Sequence, residues 1–221
     1  MIFLIIFSTY SIMKIYVLHS SNLTKRKKHI LEQFRLHNIY NFEFIEKYDI
    51  TKITDDESII FDKDYKRTRM SLFLKHLYVY ELIAKDNDEE PTLIFEDDVI
   101  LSDDFNDIVK AYIKETPEDY DMLFIGSGYN LHINKELLDA ADAHIYKNPY
   151  TRATDSYIIT NKCAKKLCEY IAAVANNNNK ITQPIDMWLN RAIIDNQLNV
   201  YWSEPTIVSQ GSQTGLFEIS L

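Results

Sequence analysis

The sequence predicts a single α/β domain with a largely parallel central sheet. Short apolar runs alternate along the chain with segments of helical period, the pattern of consecutive strand–helix units. The run Leu93 to Phe95 is apolar without interruption, as expected of a strand buried on both faces of a parallel sheet. It ends in three consecutive carboxylates, Glu96, Asp97 and Asp98, and open α/β sheets bind ligands at the carboxyl ends of their strands. At 221 residues, 46% hydrophobic and 26% charged, the chain has the length and apolar content for one core.

Taken in order, residues 1–12 hold the apolar run Ile2 to Phe7. It is too short for a membrane span and lacks the basic start and cleavage site of a signal peptide. Met13 is an alternative start, so residues 1–12 read as an N-terminal extension that need not belong to the core. Ile15 to Leu18 is a short buried strand. Lys25 to His37 is helical, with Ile30, Leu31 and Phe34 on one face and Asn22 or Thr24 as caps. Asn41 to Tyr48 alternates and reads as a second strand. Residues 49–66 are polar and acidic with no period, the mark of a long loop. Ser71 to Lys85 is a helix carrying Leu72, Leu74, Leu77, Tyr78, Leu82 and Ile83.

Pro91 starts the acidic-ended strand, and Asp103 or Asp104 caps a helix through Lys114. Asp121 to Ile125 is a strand closed by Gly126-Ser127-Gly128. Ala153 to Thr160 contains the apolar run Tyr157 to Ile159, and Asn161 caps a helix to Val174. Pro184 and Asp186 begin a helix through Ile194. Val200 to Trp202 is a last strand, and Pro205 opens a loose C-terminal tail.

A net charge of −9 disfavours a nucleic-acid partner. The basic patches Lys25 to Lys28 and Lys66 to Arg69 offer a local face to phosphate or to solvent. With only 4 glycines the chain has no G-x-G-x-x-G and no G-x-x-x-x-G-K-[ST], which argues against dinucleotide enzymes and P-loop NTPases. A nucleophile elbow is absent. Cys163 and Cys168 fit no zinc or redox spacing and read as packed, reduced thiols of a reducing compartment. Without a signal peptide the expected location is the cytoplasm, with weak peripheral membrane attachment left open by the apolar start. Oligomeric state is not encoded in any pattern.

Three adjacent acids cannot be buried unpaired, because an isolated buried charge is very costly. They must meet solvent, a basic partner or a metal. Hard divalent cations that also bind phosphate take one or two carboxylates at such a place. The stretch therefore reads as a metal–nucleotide site, with a solvated acidic turn as the alternative. Asp186, in the first turn of its helix, is either a cap or a general base; Asp155 is the second choice for that base. His19 follows a strand, whereas His76 lies on a helix with an apolar face and reads as a packed histidine. Tyr129, Tyr157 and Trp188 are candidates for stacking on a sugar or base.

From about Lys14 to Gln210 the chain resembles glycosyltransferase family 25, the lipooligosaccharide and procollagen galactosyltransferase-like family. Ile15 to Arg26 resembles its opening strand, turn and Arg, with Arg26 matching and His19 standing where Asn is usual. Leu74 to Leu77 resembles its Ser-His helix entry; His76 matches, and Lys75 replaces the Ser. Leu93 to Val99 matches its Glu-Asp-Asp strand end. Thr154 to Thr160, followed by Ala164, Lys166 and Leu167, resembles its Ala-Tyr-Ile-Ser strand and Ala-x-x-Leu helix. Pro184-Ile185-Asp186 resembles its Pro-x-Asp turn, and Pro205 to Gln210 its closing segment. Lys47 to Ile50 stands in place of Ala-Val-Asp-Gly, and Thr68-Arg69-Met70 in place of Gly-Glu-Ile.

The resemblance implies a GT-A type domain over residues 13–221 that moves a hexose, galactose or glucose, from a UDP-sugar to a glycan or protein hydroxyl by an inverting route with Mn²⁺ or Mg²⁺. Asp98 is expected to ligate the metal, with Glu96 contributing or orienting and Asp97 holding the ribose or sharing the metal. His19, Ser20, Arg26 and His76 are expected around the nucleotide, and Asp186 or Asp155 as the base. Two other readings are a metal-dependent phosphoester hydrolase and a degenerate, non-catalytic binding module on the same fold.

Overall fold

A computed structural model describes residues 13–87, 89–140, 143–177 and 179–218. The expected N-terminal extension, residues 1–12, lies outside the described residues.

The strands are β1 (Ile15–Leu18), β2 (Phe42–Ile45), β3 (Thr92–Glu96), β4 (Val99–Leu101), β5 (Met122–Phe124), β6 (Ile145–Lys147), β7 (Ser156–Ile159), β8 (Val200–Ser203) and β9 (Val208–Gln210). The helices are α1 (Thr24–Leu36), α2 (Asp55–Ser58), α3 (Arg67–Lys85), α4 (Phe105–Glu115), α5 (Lys135–Ala140), α6 (Asn161–Asn176), α7 (Ile185–Asp195) and α8 (Gly211–Thr214). Seven strands form one sheet in the order β2-β1-β3-β7-β5-β8-β6. Strands β2, β1, β3, β5 and β8 run parallel, and β7 and β6 are antiparallel to their neighbours. The sheet is mostly parallel, as expected.

Strand geometry sends successive side chains to opposite faces, and the buried strands split their residues accordingly. Tyr16, Leu18, Ile94, Phe124, Tyr157 and Ile159 enter one core with α3, α6 and α7. Ile15, Val17, Leu93, Phe95, Leu123 and Ile158 enter the other with α1 and α4. This is the two-faced burial that the uninterrupted apolar runs require. No helix among the described residues is long and apolar enough to cross a membrane.

Several elements differ from expectation in ways that shape the site. Helix α3 starts at Arg67, a turn before Ser71, which brings Thr68 and Arg69 to the cavity described below. The polar stretch 49–66 is not structureless: α2 is fixed by a capping box between Thr54 and Glu57, and Phe61 bridges Ile181. Thr160, not Asn161, caps α6, accepting from the Cys163 amide at 3.2 Å. Asn161 instead donates to the carbonyls of Ile83 and Asp86.

The tail after Pro205 is not loose. Ile207 and Val208 are buried, β9 pairs antiparallel with β4, and the one-turn α8 follows. Burial of two β-branched side chains in the core gives this segment its place.

Candidate functional site

The carboxyl ends of β1 and β3, the loop leading into β7 and the first turn of α7 gather around one cavity of about 380 Å³. Its wall includes His19, Arg26, Glu96, Asp97, Asp98 and Asp186. The acids sit there because β3 must end in a turn before β4, and the two-residue turn is Asp97-Asp98.

Each of the three adjacent acids has a different environment. Both oxygens of Asp97 are engaged: Oδ2 lies 2.7 Å from His19 Nδ1, and Oδ1 accepts from Arg26 at 2.9 Å. Arg26 also donates to the Glu218 carbonyl at 2.8 Å and lies 3.7 Å from Asp98. Asp97 is thus the paired carboxylate that anchors β1, α1 and the C-terminal segment. The Asp98 carbonyl accepts from the Gly211 amide at 2.6 Å, and its Oδ2 from the Ser212 amide at 3.2 Å. Its Oδ1 is buried and, among the described residues, has no hydrogen-bond partner.

Glu96 accepts from Thr154 Oγ1 at 3.0 Å. Burial, reinforced by the charges of Asp98 and Asp155, pushes its carboxyl up to about 8. The residue keeps a partly open edge onto the cavity, where water offsets some of that burial. Asp155 lies behind it and is wholly buried. Its Oδ2 accepts from Ser156 Oγ at 2.9 Å, its Oδ1 has no partner among the described residues, and burial pushes it up to about 7. Gly126 makes room for this carboxylate: a Cβ there would stand 2.1 Å from Asp155 Oδ2.

Behind His19 lies a buried ion pair. Lys75 Nζ donates to Asp49 Oδ1 at 2.7 Å and to the His19 carbonyl at 2.5 Å, with Ser20 Oγ at 3.3 Å. Asp49 also accepts from the Ser21 amide and hydroxyl. Burial alone would raise the Asp49 carboxyl, but the bonds from Lys75 and Ser21 outweigh it and hold it at about 2. Burial pulls the Lys75 ammonium down despite the same pairing.

Of the residues singled out from the sequence, His19, Ser20, Arg26, Glu96, Asp97, Asp98 and Asp186 line the cavity. Asp155 does not reach its wall. His76 does not either: its Nδ1 lies 2.8 Å from the Tyr157 hydroxyl, its ring stacks on that tyrosine, and burial pushes it down to about 3. It is a neutral core histidine, as its apolar helix face implied, and its placement gives no support to a nucleotide-binding role. Tyr157 and Trp188 are also core residues, whereas Tyr129 is 67% exposed at the cavity wall. Tyr129 stands on a loop braced from below by buried Arg152, which donates to the Leu131 and Ser203 carbonyls and pairs with Glu204.

Sequence reading missed Lys75, Ser212 and Gln213 at the cavity and Asp49 beside it. The resemblance marked Lys75 as a departure and placed Asp49 where the family has Asp; nothing local marked Ser212. Among the described residues no three His, Cys, Asp or Glu side chains form a ready metal cluster.

The sequence profile of glycosyltransferase family 25 (LPS biosynthesis protein) matches residues 12–188. No curated protein matches the sequence. Among solved structures, a glycosyltransferase involved in the glycosylation of the major capsid of PBCV-1 is similar, with a TM-score of 0.51, 12% identity, and 90% of this chain and 93% of that chain covered. The galactosyltransferase LgtC, in complex with donor and acceptor sugar analogs, superposes with a TM-score of 0.46 and 12% identity over 90% of this chain and 86% of that one. At these identities the likeness to the capsid-modifying enzyme speaks for the fold.

Proposed function

This chain belongs to glycosyltransferase family 25, and we propose that it transfers a hexose, galactose or glucose, from a UDP-sugar to a hydroxyl of a glycan or protein in a metal-assisted, inverting reaction. The observation that carries this reading is the buried Oδ1 of Asp98, unpartnered among the described residues, at a cavity wall that also holds Glu96 and Asp186.

The donor set fits a hard divalent cation. Asp98 has a free oxygen, Glu96 has an open edge, and the charges of Glu96, Asp98 and Asp155 repel one another. Two protein carboxylates suffice where substrate phosphates complete the shell. Asp98 and Glu96 would hold it, and Mn²⁺ or Mg²⁺ would neutralise charge on the departing diphosphate.

The remaining work falls to the chain itself. Asp97, fixed by His19 and Arg26, holds the turn so that Asp98 keeps one geometry. His19 and Ser20, locked from behind by Lys75, form the edge against which a nucleoside rests. Asp186 is partly exposed at the cavity and takes the proton from the attacking hydroxyl, a role that needs one positioned carboxylate. Asp155, buried behind Glu96, positions that residue instead. One base and no covalent intermediate is the inverting arrangement.

Incubation with UDP-galactose and UDP-glucose, with Mn²⁺ and a panel of saccharide acceptors, tests the reading. Transfer with UDP release supports it. Phosphate release without transfer would point to a phosphoester hydrolase, and no turnover of any donor to a binding module.

A further inference from the structure

The cations around the cavity are unequally committed. Arg26 is spent on Asp97, Asp98 and the Glu218 carbonyl. Lys75 is spent on Asp49, the His19 carbonyl and Ser20. Arg69 also lines the cavity and is partly buried, and among the described residues it makes no hydrogen bond and no ion pair.

Its position along the wall is fixed by its neighbours. The Tyr129 hydroxyl is pushed up by burial and by the charges of Asp186 and Glu96, and pulled back by Arg69. Tyr129, Asp186, Glu96 and Arg69 all line this cavity. A guanidinium kept unpaired in a partly dry site is costly unless a partner arrives.

We infer that Arg69 is a phosphate-binding residue of this cavity and takes the diphosphate of the nucleotide-sugar donor. The inference rests on the proposed donor reading. A guanidinium presents a planar fork that suits two phosphate oxygens at once. The cavity also holds Glu96, Asp98 and Asp186, while its other cations, Arg26 and Lys75, are already paired. A dianionic diphosphate entering there needs positive charge beyond a single divalent cation. Arg69 is placed to supply it and to hold the charge that grows as the glycosidic bond breaks.

The test compares UDP with uridine in titration calorimetry on the full-length protein with Mn²⁺, for wild type, Arg69→Gln and Arg69→Lys. Arg69→Gln should weaken UDP about 10- to 100-fold, the range for a lost charge-assisted contact, and leave uridine unchanged. Arg69→Lys should lose less, because it keeps the charge and gives up the fork. Circular dichroism melting checks that each variant folds. Equal loss for UDP and uridine, or no loss for either, would overturn the assignment of Arg69 while leaving the donor site standing. Failure of the wild type to bind UDP at all would overturn the donor reading and this inference with it.

Discussion

Glu96 and Asp155 face each other across neighbouring antiparallel strands, one step beyond the Phe95–Ser156 pair, and the Glu96 amide donates to the Asp155 carbonyl at 2.8 Å. Directly opposed residues on a sheet share one face, and like charges there are destabilising. The fold thus stores a carboxylate pair beneath the cavity, and a proton or a cation must relieve it.

The metal-free protein should report this pair through pH. Asp155 and Glu96 are raised to about 7 and about 8, so their cost is absent below the unfolded carboxylate range near 4 and grows as pH rises toward 8. In EDTA, Asp155→Asn should gain stability relative to wild type by about 2 kcal/mol between pH 5 and pH 8. Denaturant unfolding at the two pH values measures it; a difference that does not change with pH contradicts the pairing.

Lys75 and Asp49 make the opposite prediction. Removing one partner of a buried pair leaves an uncompensated charge, so Lys75→Met should cost about 3–5 kcal/mol. Lys75→Met combined with Asp49→Leu should recover much of that loss. Because Asp49 is held at about 2, its contribution is present above the unfolded value near 4 and is lost as pH falls toward 2. Urea titrations of the single and double variants decide this; equal stability of single and double would refute a coupled pair.

Asp186→Asn should lower kcat by about 10²- to 10⁴-fold, the usual range for a general base, with UDP affinity intact. Asp155→Asn should have a smaller effect on kcat. A reversed order of the two would reassign the base to Asp155.

The C-terminal segment should matter although it follows the family match. Ser212→Pro removes the amide that donates to Asp98 Oδ2, at a position early in α8 where proline is tolerated. UDP affinity in Mn²⁺ should fall about 10- to 100-fold for one lost hydrogen bond to a charged group. No change would show that Asp98 is held by the rest of its turn.

Those contacts explain what the sequence revealed and what it hid. Strands β1 and β3 were legible because they are buried on both faces, which leaves apolar runs with no polar interruption. The acids at the end of β3 were legible because three adjacent charges after such a run cannot be buried unpaired. The support for Asp98 was not: Ser212 lies 114 residues away, and a serine in a tail carries no periodic signal. Lys75 on a helix reads as a solvated lysine until Asp49, 26 residues earlier, is brought beneath it. For His76 two signals conflicted, a motif match and an apolar helix face, and the face prevailed because the core needed that position. The commitment of Asp97 to His19 and Arg26 was equally hidden, since it joins three segments that only the sheet order brings together.

Titration calorimetry of UDP into the full-length protein, in Mn²⁺ and in EDTA, repeated on Asp98→Ala, bears on the whole reading at once. Binding that requires the metal and disappears in the variant is the predicted result. Equal binding in EDTA, or undiminished binding by Asp98→Ala, would contradict a cation held by Asp98 and shared with the donor diphosphate.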